Sequence, residues 1–113
     1  MFEIEYFEEG GEKQVEAFID SLDAKARAKV FGRLELLEEY GSRIGMPFSR
    51  HLEDGIFELR ILCGDGNIRI LYFFVAGQRI VISHGFLKKT KKAPRREIER
   101  AKKNRNRWRA THE

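Results

Sequence analysis

Two arginines sit inside apolar runs of the chain, Arg60 within FELRIL and Arg69 within NIRILYFF. A buried arginine without a partner costs several kcal/mol, so each must reach solvent, a carboxylate or a ligand. On an extended strand Phe57, Leu59 and Ile61 point one way, while Glu58, Arg60 and Leu62 point the other. For Arg60 this leaves two outcomes, an ion pair with Glu58 or a bidentate grip on a phosphate. Arg69 has no acid beside it in sequence and shares its face with Leu71 and Phe73, with Tyr72 on the opposite face. Near a strand start it can snorkel outward, it can pair with Glu58 less readily than Arg60 does, or it can meet the same phosphate. The next strand ends in SHGFLKKTKK. His84 is expected on the face of Ile80 and Ile82, where a partly buried, hydrogen-bonded histidine is the common case. Lys88 and Lys89 straddle the strand end, so one of them projects over the face that carries the arginines.

Such a surface gathers cations around one spot, with no acid expected there to act as a carboxylate base. Phosphoryl transfer needs mainly positioning and charge stabilisation, which cations supply. A lysine crowded by other cations has its charged form disfavoured and can take part in proton transfer. The charges that follow, Lys91, Lys92, Arg95 and Arg96, lie in the hinge into a basic helix and are candidates for gripping nucleic acid.

The elements that position these groups can be read from periodicity. MFEIEYF alternates weakly and is expected to form a first strand. Val15, Phe18, Ile19 and Leu22 mark one face of a helix. Asp23 is placed to cap a second helix, whose expected stripe is Val30, Phe31, Leu34 and Leu37 and which Gly41 stops. After a loop leading to HLEDG, the period becomes strand-like over 56–62, 68–75 and 79–86. Glycine-bearing turns join these runs, so an antiparallel meander is expected, with the doubly apolar middle run central. Pro94 opens a final helix over about 94–109, whose small apolar stripe of Ile98 and Ala101 predicts loose docking or dependence on a partner. The expected fold class is therefore α+β: an N-terminal strand, a helix hairpin, a three-stranded antiparallel meander and a basic C-terminal helix. One domain is expected over residues 1–113.

Composition narrows the function classes. An apolar fraction of 42% with 12% aromatic residues indicates a globular protein. No apolar run approaches the ~20 residues of a bilayer span, and the acidic start is not that of a signal peptide. The single cysteine, Cys63, rules out an internal disulfide and fits a cytoplasmic protein. His51, His84 and His112 are too scattered for metal ligation, so neither metal nor other cofactor is expected. Residues 86–109 hold 12 of the 22 Lys and Arg and only two acids, Glu97 and Glu99, for +10. The remainder has 10 basic and 16 acidic residues, or −6. That polarity points to an anionic partner, with nucleic acid first in line.

The segments LEDGIFELRI, IRILYFF and ISHGFLKKTKKAPRREIERA resemble the HigB-like, phage-derived branch of the RelE/ParE toxin superfamily, over about residues 50–103. The resemblance implies the toxin of a type II toxin–antitoxin pair, acting in the ribosomal A site as a metal-independent endoribonuclease on mRNA. In that chemistry the ribose 2′-hydroxyl attacks the adjacent phosphate and leaves a 2′,3′-cyclic phosphate. Carried over by position, Arg60 would bind phosphate and Arg69 would stabilise the pentacovalent phosphate. Lys88 and Lys89 would divide phosphate binding and proton transfer, and His84 matches a position that is histidine or small and polar. The tyrosine or histidine that many relatives carry near the C-terminus has no clear equivalent here, where Trp108 and His112 stand. A helix-turn-helix antitoxin of the HigA-like kind is the implied partner, together with the ribosome and mRNA. A ParE-like inhibitor of DNA gyrase and a non-catalytic RNA-binding module are the alternatives.

Overall fold

The period-two runs of the second half form the centre of the molecule. The structure is a computed structural model and describes residues 1–64, 66–89, 91 and 93–112. Along the chain the elements are β1 (Glu3–Tyr6), a short ribbon of β2 (Glu8–Glu9) and β3 (Glu12–Lys13), α1 (Gln14–Asp20) and α2 (Ala24–Tyr40). After a 3-10 turn at Gly41–Arg43 come β4 (Ser49–Glu53), β5 (Ile56–Cys63), β6 (Gly66–Val75), β7 (Arg79–Leu87) and α3 (Arg95–His112). Five strands make one sheet in the order β1-β7-β6-β5-β4, antiparallel except for β1, which runs parallel to β7. No helix among the described residues is long and apolar enough to cross a membrane.

The mixed α+β class is as expected, but the meander has four strands. Ser49–Glu53, expected as loop, pairs with β5 through Arg50 opposite Glu58 and His51 opposite Phe57. Its own alternation is short and polar, and pairing supplies what propensity does not.

One face of the sheet carries α1 and α2. Leu59, Ile61, Ile70, Tyr72, Ile80 and Ile82 pack there against Val15, Ile19, Val30, Leu34 and Leu37. The Asp23 carboxylate caps α2 by accepting from the Ala26 N–H at 2.8 Å, as its position predicts. Phe31, however, is 47% exposed. The buried stripe runs Ala26, Val30, Leu34, Leu37, and Phe31 lies about a quarter turn away from it. Gly85 of β7 is where α1 presses closest to the sheet. A Cβ there would overlap the Phe18 ring and sit 2.8 Å from Ile70 Cδ1.

The other face is covered over part of its length by α3, which is docked firmly. Ile98, Ala101 and Trp108 are buried with Leu71, Phe73, Val81 and Phe86. Most of the attachment is polar, which is why the apolar stripe understated it. Arg95 grips Glu53 through two N–H groups at 2.7 and 2.6 Å, and Lys102 reaches the same carboxylate at 2.5 Å. With Arg95 first and Lys102 second, these donors hold the Glu53 carboxyl down at about 2. Arg105 donates to Asp54, the Trp108 N–H donates to Glu5 at 2.9 Å, and Arg107 donates to Glu9 at 2.8 Å.

His84 belongs to this seam. It was expected beside Ile80 and Ile82, but a bulge shifts the β6–β7 register so that Tyr72 pairs with Ile82 and Leu71 with His84. The extra residue, Ser83, flips the parity and turns His84 toward α3. There the ring is fully buried, with Nδ1 2.8 Å from Ser83 Oγ and Nε2 3.1 Å from Glu97 Oε1. Ser83 Oγ accepts in turn from Asn104 Nδ2 at 2.9 Å. A neutral ring that accepts from Ser83 and donates to Glu97 satisfies every member. Burial, with Arg100 adding to it, pushes His84 down to about 3.

Two measurements check this packing. Gly85→Ala should lower the unfolding free energy by about 1–3 kcal/mol through overpacking. Gly32→Ala, in open space on α2, should raise it by about 0.5–1 kcal/mol, both read from urea unfolding. For His84, the unfolded chain takes up a proton near pH 6.5 and the folded chain only near 3, so stability is full above 6.5 and falls as pH drops. Between pH 7 and 5, where the Glu53 carboxyl is still charged, the loss should be about 2 kcal/mol. His84→Gln should flatten that slope in urea titrations across the same range.

Candidate functional site

Beyond the N-terminal end of α3 the sheet face is left to charged side chains. Cross-strand pairing places Arg50 opposite Glu58 on β4 and β5, and Arg60 opposite Arg69 on β5 and β6. All four therefore share one face, as the alternation around Arg60 predicts. Glu58 has no exposed surface and stands at the centre. Its Oε1 is 3.8 Å from Arg50 Nε and 3.9 Å from Arg60 Nε, and its Oε2 is 3.5 Å from Arg69 Nε. Lys88, just past β7, is anchored by its N–H to the Asn67 carbonyl at 2.7 Å and is itself buried.

The balance of energies explains the arrangement. Two like charges directly opposite on a sheet cost some tenths of a kcal/mol to about 1 kcal/mol. A buried guanidinium without an opposite charge costs several times that. Arg69 is 3% exposed, so Glu58 is the group that makes its burial tolerable. The pairing is by charge and not by hydrogen bonding. Both Glu58 oxygens and Arg69 Nε are buried without a hydrogen-bond partner among the described residues. Among the described residues Arg69 donates only from Nη1, to the Ile68 carbonyl at 3.1 Å. Forks held near a carboxylate yet not saturated by it keep donors for an incoming anion. The Lys88 ammonium lies below its ordinary range, chiefly through burial, with Arg69, Arg50 and Arg60 adding and Glu58 opposing. It is the lysine of the pair that joins the cluster, while Lys89 faces solvent.

The cluster thus contains an acid where none was expected. Glu58 was read as an ion-pair partner chiefly for Arg60 and less for Arg69, yet it neighbours three arginines at once, Arg50 among them. Arg50 escaped sequence reasoning because β4 did. The alternation of Ser49 and His51 against Arg50 and Leu52 was the one available signal, too short to stand without its partner strand.

The remaining expected site residues are dispersed. His84 lies in the α3 seam with no exposed surface, turned to Ser83 and Glu97. Arg95 is engaged by Glu53 and Glu99. Arg96 is 82% exposed with Glu97 at 3.7 Å, and Lys91 is exposed. Lys92 lies outside the described residues. Tyr72, on the far face as expected, is buried against Phe57 and Phe74, hydrogen-bonded to Ser49 and pushed up to about 12 by burial. Trp108 is likewise a packing residue, stacked on the His112 ring at 4.1 Å.

The chain was compared with known proteins. A family model described as "Phage derived protein Gp49-like (DUF891)" matches residues 17–106, a span that contains the whole cationic cluster and the body of α3. No curated protein matches. The chain belongs to the phage-derived Gp49-like family, a toxin-like family related to the RelE/ParE toxins.

Proposed function

We propose that the protein is the HigB-like toxin of a type II toxin–antitoxin pair and that it cuts mRNA on the ribosome as an endoribonuclease. The observation that carries this reading is the convergence of Arg50, Arg60, Arg69 and Lys88 on one buried carboxylate, with Arg50 and Arg60 reaching solvent. A surface that only binds a protein, such as a gyrase-inhibiting one, has no need of so many phosphate ligands at one point.

In this reading Arg60 and Arg50, the more exposed guanidiniums, take the non-bridging oxygens of the scissile phosphate. Arg69 adds charge from below as the phosphate becomes pentacovalent. Lys88, whose ammonium is held below its ordinary range by burial, takes the 2′-hydroxyl proton through the fraction that is neutral amine. The 2′-oxygen then bonds to phosphorus, the bond to the 5′-oxygen breaks, and that oxygen leaves with a proton from water. Glu58, without exposed surface, is a positioning residue that keeps the guanidiniums close together. No cofactor enters the step. The protein acts in the cytoplasm, and a helix-turn-helix antitoxin of the HigA-like kind restrains it.

Expressed without an antitoxin, the protein should arrest growth and leave cuts confined to translated messages, read by mapping RNA 5′ ends. Lys88→Met keeps the buried stem and removes the amine, and should lower cleavage by about 100-fold or more with the urea midpoint unchanged. Lys89→Ala should leave it within about threefold, as expected for a solvated surface charge. A folded Lys88→Met variant of full toxicity would place the chemistry elsewhere, and DNA breaks in place of mRNA cuts would select the gyrase reading.

A further inference from the structure

Next to the cationic cluster lies a pocket of about 250 Å³ lined by Arg33, Pro47, Phe48, Arg60, Leu62 and Arg69. Two of its walls are cluster arginines, so whatever occupies it touches the phosphate site directly. The other walls are of a different character. The Arg33 guanidinium of α2 lies over the Phe48 ring, 4.7 Å from its centroid. Leu62, near the end of β5 and on the same strand face as Arg60, is 69% exposed and offers an apolar wall beside that guanidinium.

The pocket is also built around Arg60. The Arg60 N–H donates to the Phe48 carbonyl at 2.8 Å, and Arg33 Nη1 donates to the Arg60 carbonyl at 2.7 Å. The backbone that aims one phosphate-facing arginine is therefore the backbone that sets the aromatic and cationic walls. Apolar walls with an aromatic ring and a guanidinium plane, contiguous with phosphate ligands, have the chemistry of a nucleobase subsite. Among the described residues its polar side chains are all arginines, which only donate. They suit a base edge of acceptors, as guanine presents at O6 and N7.

We propose that this pocket seats the nucleobase attached to the scissile phosphate, stacked between Leu62 and the Arg33–Phe48 pair. The inference rests on the cluster being a phosphate site, as proposed above. It makes the enzyme hold its RNA by one base as well as by charge, and so gives it a base preference of its own.

Calorimetric titration of the full chain with guanosine 3′-monophosphate and with inorganic phosphate tests both levels separately. The nucleotide should bind about tenfold tighter than phosphate, the worth of one stacked base. Leu62→Ser, at an exposed position, and Phe48→Leu, which keeps apolar bulk but removes the ring, should each cut that ratio by about threefold or more, with phosphate affinity unchanged. Equal binding of nucleotide and phosphate, or a ratio indifferent to both substitutions, overturns the base subsite while leaving the phosphate site standing. Failure of phosphate itself to bind the wild-type chain overturns the subsite together with the reading beneath it.

Discussion

A carboxylate with no exposed surface, Glu58, governs the sheet face that bears the candidate site. It permits Arg69 to be buried at all, and it offsets the repulsion between Arg69 and Arg60 across β5 and β6. Because its oxygens are near these guanidiniums without a hydrogen bond among the described residues, it balances charge without consuming their donors. A net positive face results, rigid in backbone and still able to accept an anion. Four cations on three strands and the end of a fourth could not stay together around nothing.

The second constraint is where the basic helix spends its charge. The chain separates +10 over residues 86–109 from −6 elsewhere, and the fold brings the two back together. Arg95, Lys102, Arg105 and Arg107 are paired with Glu53, Asp54 and Glu9, so much of the helix's positive charge fastens it to the sheet. The His84–Ser83–Asn104 chain completes the seam, and it sits just before the residues that carry Lys88. The pairing of β7 with β6, through the Lys88 N–H on the Asn67 carbonyl, then sets where Lys88 enters the cluster.

What could be read in advance follows the same physics. Two-fold and helical periods located α2, β5, β6, β7 and α3, and strand parity put Glu58 and Arg60 on one face and Tyr72 on the other. Parity failed at His84, because one bulged residue inverts every face assignment beyond it, and the one cue in ISHGF, Gly85, equally signals the close approach of Phe18 that it also makes. The β4 strand was hidden because its five residues are mostly polar and gain their order only from β5. Glu58 could be seen as an ion-pair partner but not as a centre, since its neighbours Arg50 and Arg69 reach it only through strand pairing. The firm seat of α3 was invisible for a related reason: its partners are acids far away in sequence.

The central claim is that this cationic face drives an RNA's own 2′-oxygen onto the neighbouring phosphorus. The most direct measurement is cleavage of a translated message that carries a single 2′-deoxynucleotide at an established cut position. The account predicts that the unmodified message yields a 2′,3′-cyclic phosphate and a 5′-hydroxyl, and that the deoxy substitution abolishes the cut at that position alone. Undiminished cleavage of the deoxy message, or a 5′-phosphate on the downstream product, would contradict it.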